Sequence, residues 1–113
     1  MAEVAYAAKS QMLRVMAHPV RLMILEELCR GAKCVTDVQQ LLKPARQPNI
    51  SQHLAILRYC GIVDFRHEGQ KRCYFVINPE MISDLLAILG KEYPPGTPTP
   101  ITQTTGSIRS EEQ

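Results

Sequence analysis

The sequence has few aromatic residues and no tryptophan. Only 5% of its 113 residues are aromatic, whereas 45% are hydrophobic, so a core must be built from aliphatic side chains, which favours helices over a large sheet. The length suits one domain. No apolar run reaches the roughly 18 to 20 residues of a membrane span, and the N-terminus lacks the order of a signal peptide. These absences predict a cytoplasmic protein with no membrane partner.

The common motifs of enzymes are also missing. The sequence has no G-x-G-x-x-G, no G-x-x-x-x-G-K-[ST], no H-E-x-x-H and no Gly-flanked serine nucleophile. Its four cysteines form no C-x-x-C pair, and in a reducing compartment we expect free thiols or metal ligands rather than a disulfide framework. The protein is therefore not expected to be an enzyme. A thiol-dependent redox enzyme with Cys34 as nucleophile is the best enzymatic alternative.

The net charge of +2 hides an uneven distribution along the chain. Residues 46–72 carry five Lys or Arg against two Asp or Glu, whereas residues 73–113 carry two against five. A basic segment in the middle of the chain indicates a polyanionic partner, although a solvated surface can show a similar excess by chance.

The first third of the chain predicts two helices. Residues 3–16 repeat apolar side chains every three or four positions without Gly or Pro, which is typical of a helix. Pro19 suits the first turn of a second helix, and Gly31 ends it.

Two shorter helices are expected next. Thr36 and Gln39 have the spacing of a capping box, which would start a third helix. Residues 43–46 predict a turn, and Pro48 suits the start of a fourth helix that runs to about Cys60.

The periodicity changes after the fourth helix. Residues 62–66 and 72–77 are rich in β-branched and aromatic side chains and flank a glycine turn, which predicts a two-stranded hairpin. Residues 80–90 return to a helical pattern. We therefore predict a mainly α domain with a small two-stranded β wing over residues 1–92, followed by a Pro/Thr-rich disordered tail over residues 93–113.

The predicted fourth helix has two different faces. At about 100° per residue, Ile50, Leu54 and Leu57 share one face. The opposite face carries Asn49, Gln52, His53 and Ile56. Asn and Gln can pair with adenine edges, and His can donate or accept at a base or phosphate. With a short helix and a turn before it, this pattern is typical of a helix-turn-helix. An ordinary solvated polar face is the alternative.

Three segments together resemble the ArsR/SmtB family of winged helix-turn-helix repressors. They read AHPVRLMIL from Ala17, QPNISQHL from Gln47 with Leu57-Arg58 after it, and GIV from Gly61 with Glu68-Gly69 after it. The resemblance covers roughly residues 10–90. It implies a homodimer that binds double-stranded operator DNA and releases it when an effector binds. The turn before the fourth helix is one residue longer than the family's usual turn.

The resemblance and the polar helix face together give a set of candidate DNA contacts. They comprise Gln47, Asn49, Ser51, Gln52 and His53 at the fourth helix, and Arg66, Lys71 and Arg72 on the wing. Wing cations would contact phosphates and contribute affinity and salt dependence. The alternative is a protein-interaction module, since many winged helices do not read DNA. The polar strip with a basic hairpin favours DNA.

The terminal helices predict a dimer interface. Apolar side chains of the last helix span an arc of roughly 160°, wider than the roughly 100° that one core contact needs. The surplus favours a two-fold dimer, which would present two reading helices to a pseudo-palindromic site. The predicted interface residues are Val4, Ala8, Met12, Ile82, Leu85 and Leu89.

The sequence indicates a thiol-directed effector and no certain cofactor. The family's zinc sites on the last helix are unmatched, because residues 80–90 contain no His. Its arsenic and cadmium sensors carry Cys-Val-Cys where this chain reads Cys34-Val35-Thr36. Lys33 and a helix N-terminus beside Cys34 favour a reactive thiol.

We therefore predict sensing at Cys34 with Cys29 as helper, of a thiophilic metalloid such as As(III). A redox or persulfide signal is the alternative. A buried core thiol is the alternative for Cys29, and Cys60 and Cys73 are expected to be structural.

Overall fold

A computed structural model describes residues 2–42 and 49–91, and in these ranges the protein forms five helices and three strands. The helices are α1 (Ala2–Met16), α2 (Pro19–Cys29), α3 (Val35–Leu42), α4 (Ile50–Tyr59) and α5 (Pro79–Leu89). The strands are β1 (Lys33–Cys34), β2 (Val63–Glu68) and β3 (Lys71–Val76). None of the helices in the described ranges is both long and apolar enough to cross a membrane. The mainly helical prediction is confirmed.

Side-chain caps and prolines fix where two of the helices begin. Nδ1 of His18 accepts a hydrogen bond from the backbone N–H of Val20 over 3.1 Å, and Pro19 occupies the first turn of α2. Asn78 caps α5 in the same way, by accepting from the N–H of Met81 over 3.3 Å. Both caps satisfy amide groups that have no partner within the helix.

Helix α3 begins one residue earlier than the sequence predicts. Its first residue is Val35, directly after strand β1. Thr36 therefore lies inside the helix, so its assignment as the helix cap is wrong. The predicted turn over residues 43–46, Pro48 and the predicted tail all lie outside the described residues.

The sheet has three antiparallel strands in the order β1-β3-β2. Strands β2 and β3 form the predicted hairpin, and Gly69 in its turn adopts a φ of 67°, which favours glycine. Strand β1 extends the sheet on the other side of β3, with Lys33 opposite Tyr74 and Cys34 opposite Cys73. Strand β3, the central strand of the sheet, therefore joins the wing to the segment that leads into α3.

The core is aliphatic, as the composition predicts. Side chains from α2, α3 and α4 are fully buried at its centre, namely Ile24, Leu25, Val38, Ile50, Leu54 and Leu57. Ile82 of α5 belongs to the same cluster and is only 1% exposed. Its assignment to a dimer interface is wrong, because this side chain lies on the face of α5 that packs within the chain.

Candidate nucleic-acid interface

Helix α4 presents a polar surface opposite its buried face. Asn49, Ser51 and Gln52 are exposed, and His53 is half-buried. Asn49 occupies the N-cap position without a side-chain hydrogen bond to the helix end. Its amide is therefore not used in capping α4. Gln47, the remaining predicted contact at this helix, lies outside the described residues.

Two side chains, those of Arg21 and His18, hold His53 against the start of α2. The Nε of Arg21 donates a hydrogen bond to Nδ1 of His53 over 3.1 Å. The same guanidinium donates from Nη1 to the carbonyl of Val15 over 3.0 Å. The His53 ring also lies 4.6 Å from the ring of His18, measured between centroids. Contacts with the end of α1 and the start of α2 thus restrain the ring on α4.

These contacts set the proton state of His53. Because Nδ1 accepts from Arg21, the hydrogen bond assigns the ring proton to Nε2. Partial burial lowers the pKa of His53 below its usual 6.5, and the nearby His18 and Arg21 lower it further. The neutral ring therefore has one N–H donor, at Nε2, for an outside acceptor.

The wing divides its basic residues between two faces. Arg72 lies opposite His67 in the hairpin, whereas Arg66 lies opposite Cys73. Because successive side chains of a strand point to opposite faces, Arg72 is on one face and Arg66 and Lys71 are on the other. Arg66 and Arg72, two of the three cations predicted to contact DNA, therefore lie on opposite faces of the wing.

Phe65 positions Arg72 beside α4. The guanidinium of Arg72 lies 4.8 Å from the centroid of the Phe65 ring, and that of Arg58 from α4 lies 4.5 Å from the same centroid. On the other face, Arg66 pairs with Glu68 at 3.0 Å and its charge is partly compensated there. Arg72 is therefore the wing cation most closely tied to α4.

Arg58 also ties α4 to the first strand of the wing. Its Nε donates to Oδ1 of Asp64 over 2.8 Å, and that oxygen accepts from the backbone N–H of Phe65 as well. These two hydrogen bonds lower the pKa of the Asp64 carboxyl. Sequence reasoning missed this role of Arg58, since the contact depends on how the hairpin folds back.

A cleft of about 440 Å³ lies between α4, the start of α3 and the wing. Its walls include Ser51 and Ala55 of α4, Lys71 and Arg72 of β3, and Cys34. The cleft therefore brings two candidate DNA-contacting elements and the candidate sensing cysteine to one place.

The structure pairs Cys34 with Cys73, not with Cys29. Cys34 and Cys73 are joined by a disulfide between neighbouring strands, whereas Cys29 and Cys60 are free. Cys29 lines a different cleft, between α2 and α5. Burial raises the pKa of its thiol, and Glu26 raises it further. The sequence missed the role of Cys73 because β1 is too short to show a periodic pattern.

A site for a metal ion requires several ligands that converge. Over residues 2–42 and 49–91, no three His, Cys, Asp or Glu side chains come together in a group that could hold one. The three histidines in particular are divided between the α2–α4 cluster and the wing.

Apolar side chains remain exposed on both terminal helices. Val4 on α1 is 68% exposed and Leu89 on α5 is 60% exposed. Ala8 is exposed as well, while Met12 and Leu85 are half-buried against the core. Five of the six predicted interface residues thus keep some surface outside the core of the chain.

Comparisons with known proteins identify relatives that match a large part of the chain. The family model described as "Bacterial regulatory protein, arsR family" matches residues 18–64. An HTH-type transcriptional regulator of Mycobacterium tuberculosis is 33% identical over 89 residues, which are 79% of this chain and 77% of that protein.

Solved structures show the same fold. HlyU from Vibrio cholerae has a TM-score of 0.67 at 30% identity, covering 76% of this chain and 95% of that one. The transcriptional repressor BigR from Xylella fastidiosa has a TM-score of 0.66 at 28% identity, covering 81% and 96%.

Proposed function

The chain belongs to the arsR family of bacterial regulatory proteins, which are DNA-binding transcriptional regulators and not enzymes, and from this premise we propose how it regulates. It binds a pseudo-palindromic operator as a homodimer and represses transcription until an effector releases it. The observation that carries this proposal is the surface of α4, where polar side chains are exposed beside a wing that carries cations.

Helix α4 reads bases in the major groove. Asn49 and Gln52 are exposed amides that can each donate and accept at an adenine edge. His53 is held by Arg21 with Nε2–H as its donor, which suits an acceptor such as guanine N7 or a phosphate oxygen. Ser51 adds a contact in the first turn of α4, where an HTH reading helix approaches the bases. Gln47, which precedes α4 in the sequence, remains a further candidate contact.

The wing supplies affinity rather than sequence information. Arg72 lies on the face that packs toward α4, and the shared cleft with Ser51 places both near one DNA segment. Lys71 borders the same cleft, whereas Arg66, on the face opposite Arg72, would contact phosphates beyond that segment. Contacts of this kind release counterions and make binding depend on salt.

A second copy of the chain covers the exposed apolar surface of α1 and α5. Val4 and Leu89 are largely exposed in the single chain, and together with Ala8, Met12 and Leu85 they form the proposed interface. A two-fold axis there would present two α4 helices to successive turns of DNA. This role places the protein in the cytoplasm, where operator DNA is found.

The test is selection of DNA by the purified protein from a random-sequence pool, followed by binding measurements on the selected duplex and on a scrambled one. A selected palindrome that the protein binds at least 1,000-fold more tightly than the scrambled duplex, on the order expected for specific regulators, supports the proposal. Equal affinity for both duplexes would contradict it and favour a protein-interaction module.

The effector acts through Cys34. This residue lies directly before α3, the first helix of the helix-turn-helix, and lines the cleft beside the wing. A chemical change at its sulfur would therefore act on two DNA-contacting elements at once. Thiophilic metalloids such as As(III) and oxidants are the two classes of effector that react with a thiol here.

A further inference from the structure

The pair of Cys34 and Cys73 lies where β1 meets the wing. The two residues are register partners in neighbouring antiparallel strands, and their sulfurs are joined. We propose that this pair is a reversible dithiol switch that a hydroperoxide converts to the disulfide, and that the disulfide weakens operator binding. The inference rests on the proposed function, because its readout is release of DNA.

The surroundings of the two sulfurs assign their roles. Cys34 is half-buried and lines the open cleft between α4 and the wing, whereas Cys73 is buried at 4% exposure. Lys71 and Arg72 on the cleft wall add positive charge, which favours a thiolate. Cys34 is therefore the thiol that meets a small reagent, and Cys73 is the partner that resolves the product.

The chemistry balances with a hydroperoxide as the only oxidant. The thiolate of Cys34 attacks the terminal peroxide oxygen, so that an S–O bond forms and the O–O bond breaks. The alkoxide or hydroxide that leaves takes a proton from solvent and becomes an alcohol or water. Cys34 is then a sulfenic acid. The Cys73 sulfur attacks the Cys34 sulfur, an S–S bond forms, and the hydroxide leaves as water with the Cys73 proton. A low-molecular-weight dithiol returns both residues to thiols by exchange.

The position of the pair explains how its oxidation reaches DNA. Cys34 is followed at once by the first residue of α3, and Cys73 follows Arg72 in β3. Strand β1 has only two residues, so its backbone pairing with β3 is short and can adjust when the protein docks on DNA. A covalent link between the strands removes that adjustment. Each protomer of the dimer then fits its DNA half-site less well, and operator affinity falls.

The same geometry favours oxidation over metal binding as the chemistry of this pair. Two thiols suffice for a disulfide. No third His, Cys, Asp or Glu of the described residues joins them in a group that could hold a metal ion. Metalloid binding by the two thiols alone is therefore treated as a competing outcome of the experiment.

The experiment compares full-length protein in two redox states on the duplex that the reduced protein selects from a random-sequence pool. Protein reduced with dithiothreitol is freed of reductant, treated with hydrogen peroxide and assayed for DNA affinity. We expect oxidation to lower affinity by about 5- to 150-fold, and dithiothreitol to restore it.

Tryptic peptide mass spectrometry identifies the bond directly. Trypsin cleaves directly before Cys34 and Cys73, after Lys33 and Arg72. It also cleaves after Arg30 and Arg58, so that Cys29 and Cys60 lie on two further peptides and each cysteine has a peptide of its own. The expected product of oxidation is one linked species that contains the Cys34 and Cys73 peptides and is two hydrogen atoms lighter than their sum.

Single substitutions of each cysteine separate this pair from the other thiols. Cys34→Ser should bind the duplex as reduced wild type does and lose the peroxide response. Cys73→Ala, which removes the buried partner, should give the same result. Cys29→Ser and Cys60→Ser, which alter the free cysteines, should keep the response.

Several outcomes would overturn the inference. They are unchanged or raised affinity of oxidised wild type, a response retained in Cys34→Ser and Cys73→Ala, or release by As(III) with none by peroxide. If the reduced protein selects no sequence at all, the proposed function is contradicted, and so is the switch that depends on it. If it selects one and oxidation has no effect, only the switch fails.

Discussion

Arg21 of α2 donates a hydrogen bond from Nε to Nδ1 of His53 on α4, across 3.1 Å. The acceptor exists only while His53 is neutral, because a protonated ring carries hydrogen on both nitrogens. The contact therefore links the proton state of one ring to the packing of α4 on α2. It also links that proton state to the single donor that His53 offers to DNA.

Acidification is expected to destabilise the fold through His53. The folded-state pKa of His53 lies below its usual 6.5, so the unfolded chain binds the proton first as the pH falls. Its contribution is therefore fully present above about pH 6.5 and is lost progressively down to the folded pKa. The measurement is the free energy of unfolding, from urea titrations between about pH 7.5 and 5.

Two variants test this assignment. His53→Gln keeps an oxygen that can accept from Arg21 but cannot titrate, so we expect a shallower dependence of unfolding free energy on pH. Gln52→Ala changes the neighbouring exposed residue and should keep the dependence of the wild type. Identical pH dependence in His53→Gln and wild type would show that another group is responsible.

Substitutions on α4 should reduce discrimination between DNA sequences. Gln52→Ala and His53→Ala each remove hydrogen bonds to base edges, and we expect a loss of about 1–3 kcal/mol in the difference between selected and scrambled duplexes. Lys71→Ala removes a phosphate contact and should weaken both duplexes similarly. Affinities from fluorescence anisotropy at one fixed salt concentration give all of these values. Equal losses on both duplexes for all three variants would show that α4 does not read the sequence.

The two faces of α4 could be predicted from the sequence because a helix has one fixed period. The spacing of Ile50, Leu54 and Leu57 alone places them together, and all three are fully buried. The hydrogen bond between Arg21 and His53 joins positions 32 residues apart, and no local pattern encodes it. The sequence therefore predicted the polar face of α4 but not the arginine that holds its histidine.

The cysteine pairing was missed for a related reason. The sequence pointed to Cys29 because it lies near Cys34 in the chain, but 39 residues separate the two cysteines that actually meet. Their contact follows from β1, whose two residues are too few to show alternation. The position of Cys34 just before α3 was predictable, while its partner required the register of the sheet.

The two faces of the wing should differ in their effect on salt dependence. Arg72 faces α4, so we expect Arg72→Ala to lower the slope of log affinity against log salt by about 1. Arg66→Ala is the matched control, because Arg66 already pairs with Glu68 at 3.0 Å and should change the slope less. Binding on the selected duplex over a series of salt concentrations measures both slopes. Equal slopes for the two variants would contradict the division of the wing.

A carboxylate on the exposed side of α5 should break the dimer. Leu89 is 60% exposed in the single chain, so Leu89→Asp should leave the core unaffected while placing an unpaired charge in the proposed apolar interface. Burial of such a charge costs several kcal/mol. We expect sedimentation velocity at micromolar concentration to show a dimer for wild type and a monomer for Leu89→Asp, with unchanged helical circular dichroism.

The control for this experiment is the same substitution on a helix outside the proposed interface. Leu41 on α3 is 49% exposed, so Leu41→Asp matches the chemistry and should remain dimeric. Val4→Asp on α1 should behave as Leu89→Asp does, because both terminal helices contribute to one interface. A wild type that sediments as a monomer, or a Leu89→Asp variant that stays dimeric, would show that two copies associate elsewhere or not at all. The spacing of two α4 helices on DNA would then need a different origin.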